Sequence, residues 1–358
     1  MKRRVLLTGG GTAGHVTPNM ALIPHLQDAG LDIVYVGSYD GIEKKLIEEM
    51  GIPYYPIQSG KMRRYFDIKN FTDPFRVIQG WGQALKLIKK LKPTVIFSKG
   101  GFVSVPVVMA GKMAGVPCVI HESDMTPGLA NKLAVPFARK VCTNFEETLQ
   151  YLPEKKAVYT GTPIRESLLK GSRFEGFRIT GFPEDKPVIL IMGGSMGAGA
   201  VNEIVWQAAP ELVREYSVIH LCGKGKRNES LAGLGGYLQM EYADTELPHL
   251  YAIADVMVSR AGANALAEIL ALRVPNILVP LPLSASRGDQ ILNARSFEKK
   301  GYSYVLEQEG MTAPRLQEAI DTVYQNRGAY KSAMSATHVK SGIEEVMKII
   351  LHYAGTES

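Results

Sequence analysis

Twice in this chain an apolar, strand-like run leads straight into a glycine-rich stretch and then into helical spacing. Val5-Leu6-Leu7 precede GGGTAGHVTP (9–18), and the run 187–192 precedes GGSMGAG (193–199). This arrangement limits the fold more than any other feature. A strand that ends in a glycine turn and opens a helix is the first step of a βαβ unit, and repeated βαβ units build parallel sheets covered by helices on both faces. The surrounding sequence keeps the alternation. Strands are predicted at 3–8, 32–36, 53–57, 94–98, 117–121, 139–143 and 156–160, with helices at 17–29, 41–50, 74–91, 104–115, 128–135 and 144–151. Thr17-Pro18 reads as a hydroxyl N-cap followed by Pro at N1. After 187 the plan restarts, with a helix at 200–215 and strands near 217–222, 255–259, 275–279 and 303–306.

A chain of 358 residues is too long for one ordinary core. The stretch 161–186, rich in Gly and Pro, reads as linker and irregular structure. The expectation is an α/β protein of two doubly wound, Rossmann-like domains, 1–163 and 164–339. The last helix, within 340–358, is expected to pack back on the first domain. No run of eighteen apolar residues is present, so no membrane span is expected. Lys2, Arg3 and Arg4 lead directly into the first strand, and no export leader is expected. Cys118, Cys142 and Cys222 fit no zinc or disulfide spacing and read as reduced core residues.

Gly9, Gly11 and Gly14 have the G-x-G-x-x-G spacing of a dinucleotide-binding turn. Such a turn needs an acid at the end of the second strand to hold the ribose. Here that strand ends Tyr35-Val36-Gly37, and His15, Val16 and Thr17 intervene before Pro18, so the context argues against NAD. Glycines still let backbone N–H groups approach phosphate at the positive end of a helix. Two such loops suit a reaction with phosphate on both substrates and the loops facing one cleft; the plainer alternative is a pair of tight βα turns.

GGGTAGHVTPNMAL, HESDMTPGLANK (121–132), GGSMGAGAVN (193–202) and SRAGANALAEI (259–269) together resemble the MurG family of peptidoglycan N-acetylglucosaminyltransferases, in order and from about residue 2 to about 350. The resemblance implies a GT-B fold, two Rossmann-like domains facing across a cleft. It implies inverting transfer of GlcNAc from UDP-GlcNAc to the C4 hydroxyl of MurNAc in undecaprenyl-pyrophosphoryl-MurNAc-pentapeptide. No cofactor and no essential metal are expected, and no Asp-x-Asp motif is present.

By that resemblance His15 is the general base, since an imidazole titrates near neutrality; a helix-capping histidine is the alternative. Gly194, Ser195 and Gly197 would hold the UDP pyrophosphate. Arg165 would reach the nucleotide phosphates, or else make an interdomain salt bridge. Glu268 would chelate the uridine ribose, and Asp289 with Gln290 the GlcNAc hydroxyls, although some relatives carry Gln-Gln there. Asp124, where many relatives have Asn, is assigned to substrate, with the donor set, or as a second proton acceptor; Glu122 and Asn131 would position its loop. Gly10, Gly11, Thr12 and Gly14 would face the acceptor diphosphate; the third glycine turn, Lys99-Gly100-Gly101-Phe102, either touches the same phosphates through Gly100 and Gly101 or simply turns the chain.

The formal net charge is +6, but residues 61–92 alone carry +7, with nine Lys/Arg against Asp67 and Asp73. Arg63, Arg64, Phe71, Phe75, Ile78 and Trp81 make this a candidate patch for an anionic membrane surface, because each cation near such a leaflet adds about 1 kcal/mol. A core-facing helical stripe is the alternative reading. No RRM, KH or helix-turn-helix signature accompanies the patch, so nucleic acid is not expected. The resulting location is the cytoplasmic face of the cell membrane, as a peripheral protein. Rival readings are a UDP-sugar transferase for another lipid acceptor and a non-catalytic nucleotide-sugar-binding protein.

Overall fold

The computed structural model describes residues 3–60, 69–194, 197–337 and 342–356, with 69–75 described by backbone alone. It divides into two compact units, residues 1–165 with 341–358, and residues 166–340.

The first unit has a seven-stranded sheet. Its strands are β1 (Arg4–Thr8), β2 (Asp32–Ser38), β3 (Tyr54–Ile57), β4 (Val95–Ser98), β5 (Cys118–Glu122), β6 (Lys140–Thr143) and β7 (Ala157–Tyr159). All pair in parallel, in the order β3-β2-β1-β4-β5-β6-β7. Val5, Leu6 and Leu7 are fully buried because helices cover both faces, which is why the strands read as apolar runs rather than alternations. The helices are α1 (Thr17–Asp28), α2 (Ile42–Glu49), α3 (Lys69–Leu91), α4 (Ser104–Met113) and α5 (Leu129–Ala134).

In the second unit the strands are β8 (Val188–Met192), β9 (Ser217–Leu221), β10 (Tyr237–Met240), β11 (Val256–Ser259), β12 (Asn276–Leu278) and β13 (Tyr304–Val305), parallel in the order β10-β9-β8-β11-β12-β13. The helices are α6 (Arg173–Thr180), α7 (Gly199–Glu215), α8 (Leu247–Ile253), α9 (Ala263–Leu272), α10 (Asp289–Lys299), α11 (Ala313–Gln325) and α12 (Arg327–Ser335).

The chain then re-enters the first unit as α13 (Ile343–Ala354), where Val346, Met347 and Ile350 pack into the cluster that holds Leu7, Leu22 and Leu26. Burying each of these side chains contributes roughly 1.5–3 kcal/mol. The return passes tightly over Gly161 and Thr162: Gly342 has φ +69, and a Cβ there would lie 2.7 Å from the Thr162 carbonyl carbon.

Four local expectations fail. The stretch read as irregular holds α6, started by Ser172, whose hydroxyl accepts from the Glu175 N–H, and stopped by Gly181 at φ +66. A 3-10 turn at Glu146–Tyr151 replaces the expected α-helix. Strand β10 was not foreseen, because it is a four-residue edge strand, mostly half-exposed, with little apolar signal. Thr17 is not the N-cap: a 3-10 turn at Ala13–His15 runs into the helix, Val16 takes the cap position, and the Thr17 hydroxyl donates to the Ala13 carbonyl.

In each sheet the strand order reverses beside the first strand, between β1 and β4 and between β8 and β11. Ligands of open parallel sheets bind outside the carboxyl ends of the strands at such a reversal.

Candidate active site

The first reversal is flanked by the turns after β1 and β4, and the structure brings them together. The Gly10 N–H donates to the Gly100 carbonyl at 3.3 Å. Gly101 sits at φ +84, where a Cβ would lie 2.3 Å from the Gly10 oxygen, so the approach requires glycine. His15 ends the 3-10 turn, half-buried beside Gly100 and Asn131. Its Nδ1 is 3.1 Å from the Gly10 carbonyl and 3.1 Å from the Thr12 hydroxyl. A carbonyl only accepts, so a hydrogen bond to Gly10 requires the proton on Nδ1, and the Thr12 hydroxyl can then accept or turn away; in the neutral ring this tautomer leaves the lone pair on Nε2.

Not all the turn's amides face outward. The Gly11 N–H donates to Glu43 Oε2 at 3.2 Å, and Glu43 is fully buried. The N–H groups of Gly10 and Gly11, expected to face the acceptor diphosphate, are thus engaged within the unit.

The HESDMTPG segment lies at the end of β5. Glu122 accepts from the N–H groups of Asp124 and Gly128 and from Asn131 Nδ2, at 2.8–3.0 Å. Burial pushes its carboxyl pKa up, and Asn131 opposes that. Glu122 and Asn131 therefore brace the loop that carries half-buried Asp124. Asp124, grouped with the donor set from sequence, belongs to the first unit. Beneath the loop Lys99 is fully buried, with Nζ 2.8 Å from His121 Nδ1 and 2.5 Å from the Ser123 hydroxyl. His121 Nε2–H donates to the Gly161 carbonyl, which leaves Nδ1 to accept from the lysine. Burial lowers the Lys99 pKa to about 7, against the raising pull of Glu122 and Asp124.

In the second unit Gly193 and Gly194 follow β8, Gly197 N–H donates to the Gly194 carbonyl at 2.9 Å, and α7 begins at Gly199. Gly197 has φ +66, and a Cβ would lie 2.2 Å from the Cys222 carbonyl oxygen. Ser195 lies outside the described residues. Glu268, on α9 beyond β11, accepts from the Tyr251 hydroxyl at 3.1 Å. Asp289 opens α10 and pairs with Arg287 at 2.7 Å, so its carboxylate already has a counter-charge. Gln290 Oε1 accepts from the Leu281 N–H. Arg260 is nearly buried, its guanidinium donating to the Val279 carbonyl and to Gln308. Half-buried Arg165 ends the first unit's main segment.

Sequence reasoning missed Glu43, Tyr251 and the burial of Lys99. Among the described residues no group of three or more His, Cys, Asp or Glu could hold a metal ion, and no helix is long and apolar enough to cross a membrane. On α3, Arg76 is exposed and Ile78 is 62% exposed, while Trp81 is half-buried against the core cluster of Ala84, Ile88 and Val107. Arg63, Arg64 and the side chains of Phe71 and Phe75 lie outside the described residues.

Two all-parallel units, each with a glycine loop at its strand-order reversal, make up the GT-B architecture, the one found in the crystal structure of a MurG transferase. The N-terminal domain of glycosyltransferase family 28 matches residues 5–143, and its C-terminal domain matches residues 188–348. The chain belongs to that family and, within it, to the MurG family. It is 56% identical over 348 residues to the UDP-N-acetylglucosamine–N-acetylmuramyl-(pentapeptide) pyrophosphoryl-undecaprenol N-acetylglucosamine transferase of Lachnoclostridium phytofermentans, covering 97% of this chain and 98% of the relative. The Clostridium novyi protein of the same name is 51% identical over 353 residues, covering 98% and 99%. The crystal structure of Acinetobacter baumannii MurG matches with a TM-score of 0.78 at 26% identity, covering 98% and 99%. A putative UDP-N-acetylglucosamine 2-epimerase from Listeria monocytogenes, at TM-score 0.72 and 12% identity over 100% of this chain and 98% of its own, shares the fold alone.

Proposed function

We propose that this chain transfers N-acetylglucosamine from UDP-GlcNAc to the C4 hydroxyl of MurNAc in undecaprenyl-pyrophosphoryl-MurNAc-pentapeptide, with inversion, converting lipid I to lipid II. The observation that carries the reading is identity above half, over nearly the whole chain, to transferases of that name. Chemically, His15 supports it, with the Gly10 carbonyl holding a proton on Nδ1. His15 Nε2 takes the proton from the acceptor hydroxyl as the oxygen attacks the anomeric carbon. The bond from that carbon to the UDP oxygen breaks, and the electron pair leaves with UDP.

The second loop, with Gly194, Ser195 and Gly197 ahead of α7, stabilises charge on the leaving diphosphate, and Arg165 assists. Helix N-termini suit that task. Glu268 holds the ribose hydroxyls, and Asp289 and Gln290 hold those of GlcNAc. The acceptor diphosphate lies against the Gly10–Gly14 turn and the turn of Gly100 and Gly101, with Asp124 nearby.

The polyprenyl acceptor requires work at the membrane. In this reading the protein is peripheral, on the cytoplasmic side, and the basic segment of residues 61–92 meets anionic lipid. Exposed Ile78 and Arg76 on α3 support that role. Donor profiling tests the function: incubation with lipid I and UDP-GlcNAc, UDP-Glc or UDP-Gal, with products identified by mass. GlcNAc addition to lipid I is expected. A product formed only with a different glycolipid acceptor would replace this reading.

A further inference from the structure

Glu43 belongs to no motif singled out in the sequence, yet three glycines close around it. A Cβ at Gly10 would lie 2.4 Å from its Oε1, one at Gly41 2.1 Å from the same atom, and one at Gly37 2.9 Å from its Cγ. Its Oε1 accepts from the Ser38 N–H at 3.0 Å and the Ser38 hydroxyl at 2.5 Å, and its Oε2 from the Gly11 N–H at 3.2 Å. A group that only accepts is a carboxylate.

The Gly11 N–H belongs to the same peptide plane as the Gly10 carbonyl. No peptide bond in the described chain is cis, so the two groups point in opposite directions. One end of this plane rests on Glu43, and the other accepts from His15 Nδ1. From this geometry we infer that Glu43 is a positioning residue for the proposed base, acting through the Gly10–Gly11 peptide. It fixes the plane so that its carbonyl selects the Nδ1–H tautomer. Its charge polarises that peptide and stabilises the imidazolium formed when Nε2 takes the acceptor proton. The arrangement performs the task of a triad carboxylate, with one amide inserted between carboxylate and imidazole.

Other groups around the pair do not take this part. Tyr35 donates to the Gly9 carbonyl and Tyr54 to the Ser38 carbonyl, and burial with the Glu43 charge added pushes both phenols up, so both stay protonated. Glu48 on α2 also bears on Tyr54. Gly100 and Asn131 beside the His15 ring do not titrate. Lys99 titrates in the same range as a histidine, but its Nζ faces His121 and Ser123.

The inference rests on His15 being the base, and the test separates the two. Glu43→Gln, His15→Ala and the double variant are assayed with UDP-GlcNAc and lipid I, with a kcat/KM pH profile for Glu43→Gln. General-base help as a whole is worth about 10²–10⁴, so Glu43→Gln is expected to lower kcat about tenfold or more, with KM for UDP-GlcNAc unchanged. Its acid limb is expected to move to lower pH, because losing a nearby negative charge disfavours the imidazolium. In the His15→Ala background the same change adds little.

A fall in kcat with the acid limb unmoved would mark Glu43 as a loop support only and overturn the inference. If His15→Ala keeps full turnover, the base assignment itself fails. If His15→Ala collapses while Glu43→Gln behaves as wild type, only the present inference fails. Nitrogen-15 NMR of the wild type, with the His15 signal assigned by its loss in His15→Asn, needs neither activity nor a folded Glu43 variant. It should show Nδ1 protonated and Nε2 bare, and the opposite tautomer overturns the inference.

Discussion

The two glycine loops occupy the same place in their units, after the first strand and at the strand-order reversal, yet they are built for different work. In the first, the N–H groups of Gly10 and Gly11 are engaged by Gly100 and Glu43, and a 3-10 turn delays α1. That delay sets a histidine at the lip of the turn. In the second, Gly197 closes on Gly194 and α7 starts two residues later, so the amides of a 17-residue helix's first turn follow directly. One loop positions a side chain and the other presents backbone. In the proposed reading, the same strand–loop–helix plan serves as the mount of a proton acceptor in one unit and as an anion cradle in the other.

Removing the side chain from the first loop should have the largest effect. His15→Ala is expected to lower kcat about 10²–10⁴-fold while UDP-GlcNAc affinity, measured by calorimetry, stays within about twofold. Equal losses in both would mean that the first loop also binds the donor and would end the contrast.

The backbone role is broken by paired alanines. At Gly197 an added Cβ would strike the Cys222 carbonyl at 2.2 Å, whereas at Gly11, φ +86, it would meet open space. Gly197→Ala should therefore cost UDP affinity at least about tenfold and several °C in Tm, since strained left-handed backbone with a clash costs on the order of 1–3 kcal/mol. Gly11→Ala should leave UDP affinity unchanged and lose only about 1–2 kcal/mol of stability. Calorimetry and thermal melts on both variants check this.

What the sequence shows of these loops follows the same division. Both turns are legible because apolar run, glycines and helical spacing are local signals, and so are the buried strands β1 and β8. His15 stands inside one of those signals. Glu43 does not: it is one of three glutamates on α2, and nothing local announces that Gly10, Gly37 and Gly41 converge on its carboxylate. The glycine turn that begins at Lys99 reads as a possible phosphate contact, but nothing local shows that the Lys99 side chain turns inward to His121. Trp81 shows the same limit, since the 3.6-residue period alone cannot say which apolar residue of α3 meets the core.

A smaller effect sharpens the account of the second loop. Glu268 is held by the Tyr251 hydroxyl. If Glu268 grips the ribose, Glu268→Gln should weaken UDP binding about tenfold, the scale of a charge-assisted hydrogen bond at about 1.5 kcal/mol. Tyr251→Phe, which removes one hydrogen bond to the carboxylate, should cost about threefold. Both should leave the kcat pH profile in place, because neither belongs to the unit that carries the first loop. Wild-type UDP affinity in Glu268→Gln would remove this residue from the donor site.

The least effect concerns charge beneath the loops. Behind the second loop His220 is buried between Asn202 and Tyr237, and burial lowers its pKa to about 4, so it stays neutral near pH 7. Behind the first, Lys99 is lowered to about 7 from an ordinary 10.5. Between those two values the unfolded chain carries a proton that the folded chain has released. Raising the pH through this window therefore favours folding, by at most about 1.4 kcal/mol per pH unit. The contribution is lost as pH falls through about 7, where the amine must be buried as a cation. Lys99→Met keeps the volume and removes the titration. Melting both proteins at about pH 6.5 and about pH 8.5 should show the wild type gaining Tm relative to the variant as pH rises. Parallel curves would mean that Lys99 keeps its proton throughout, bound tightly enough by Glu122 and Asp124 to offset its burial, and the first unit would then carry a fixed cation under its loop, in contrast to the neutral His220 behind the second.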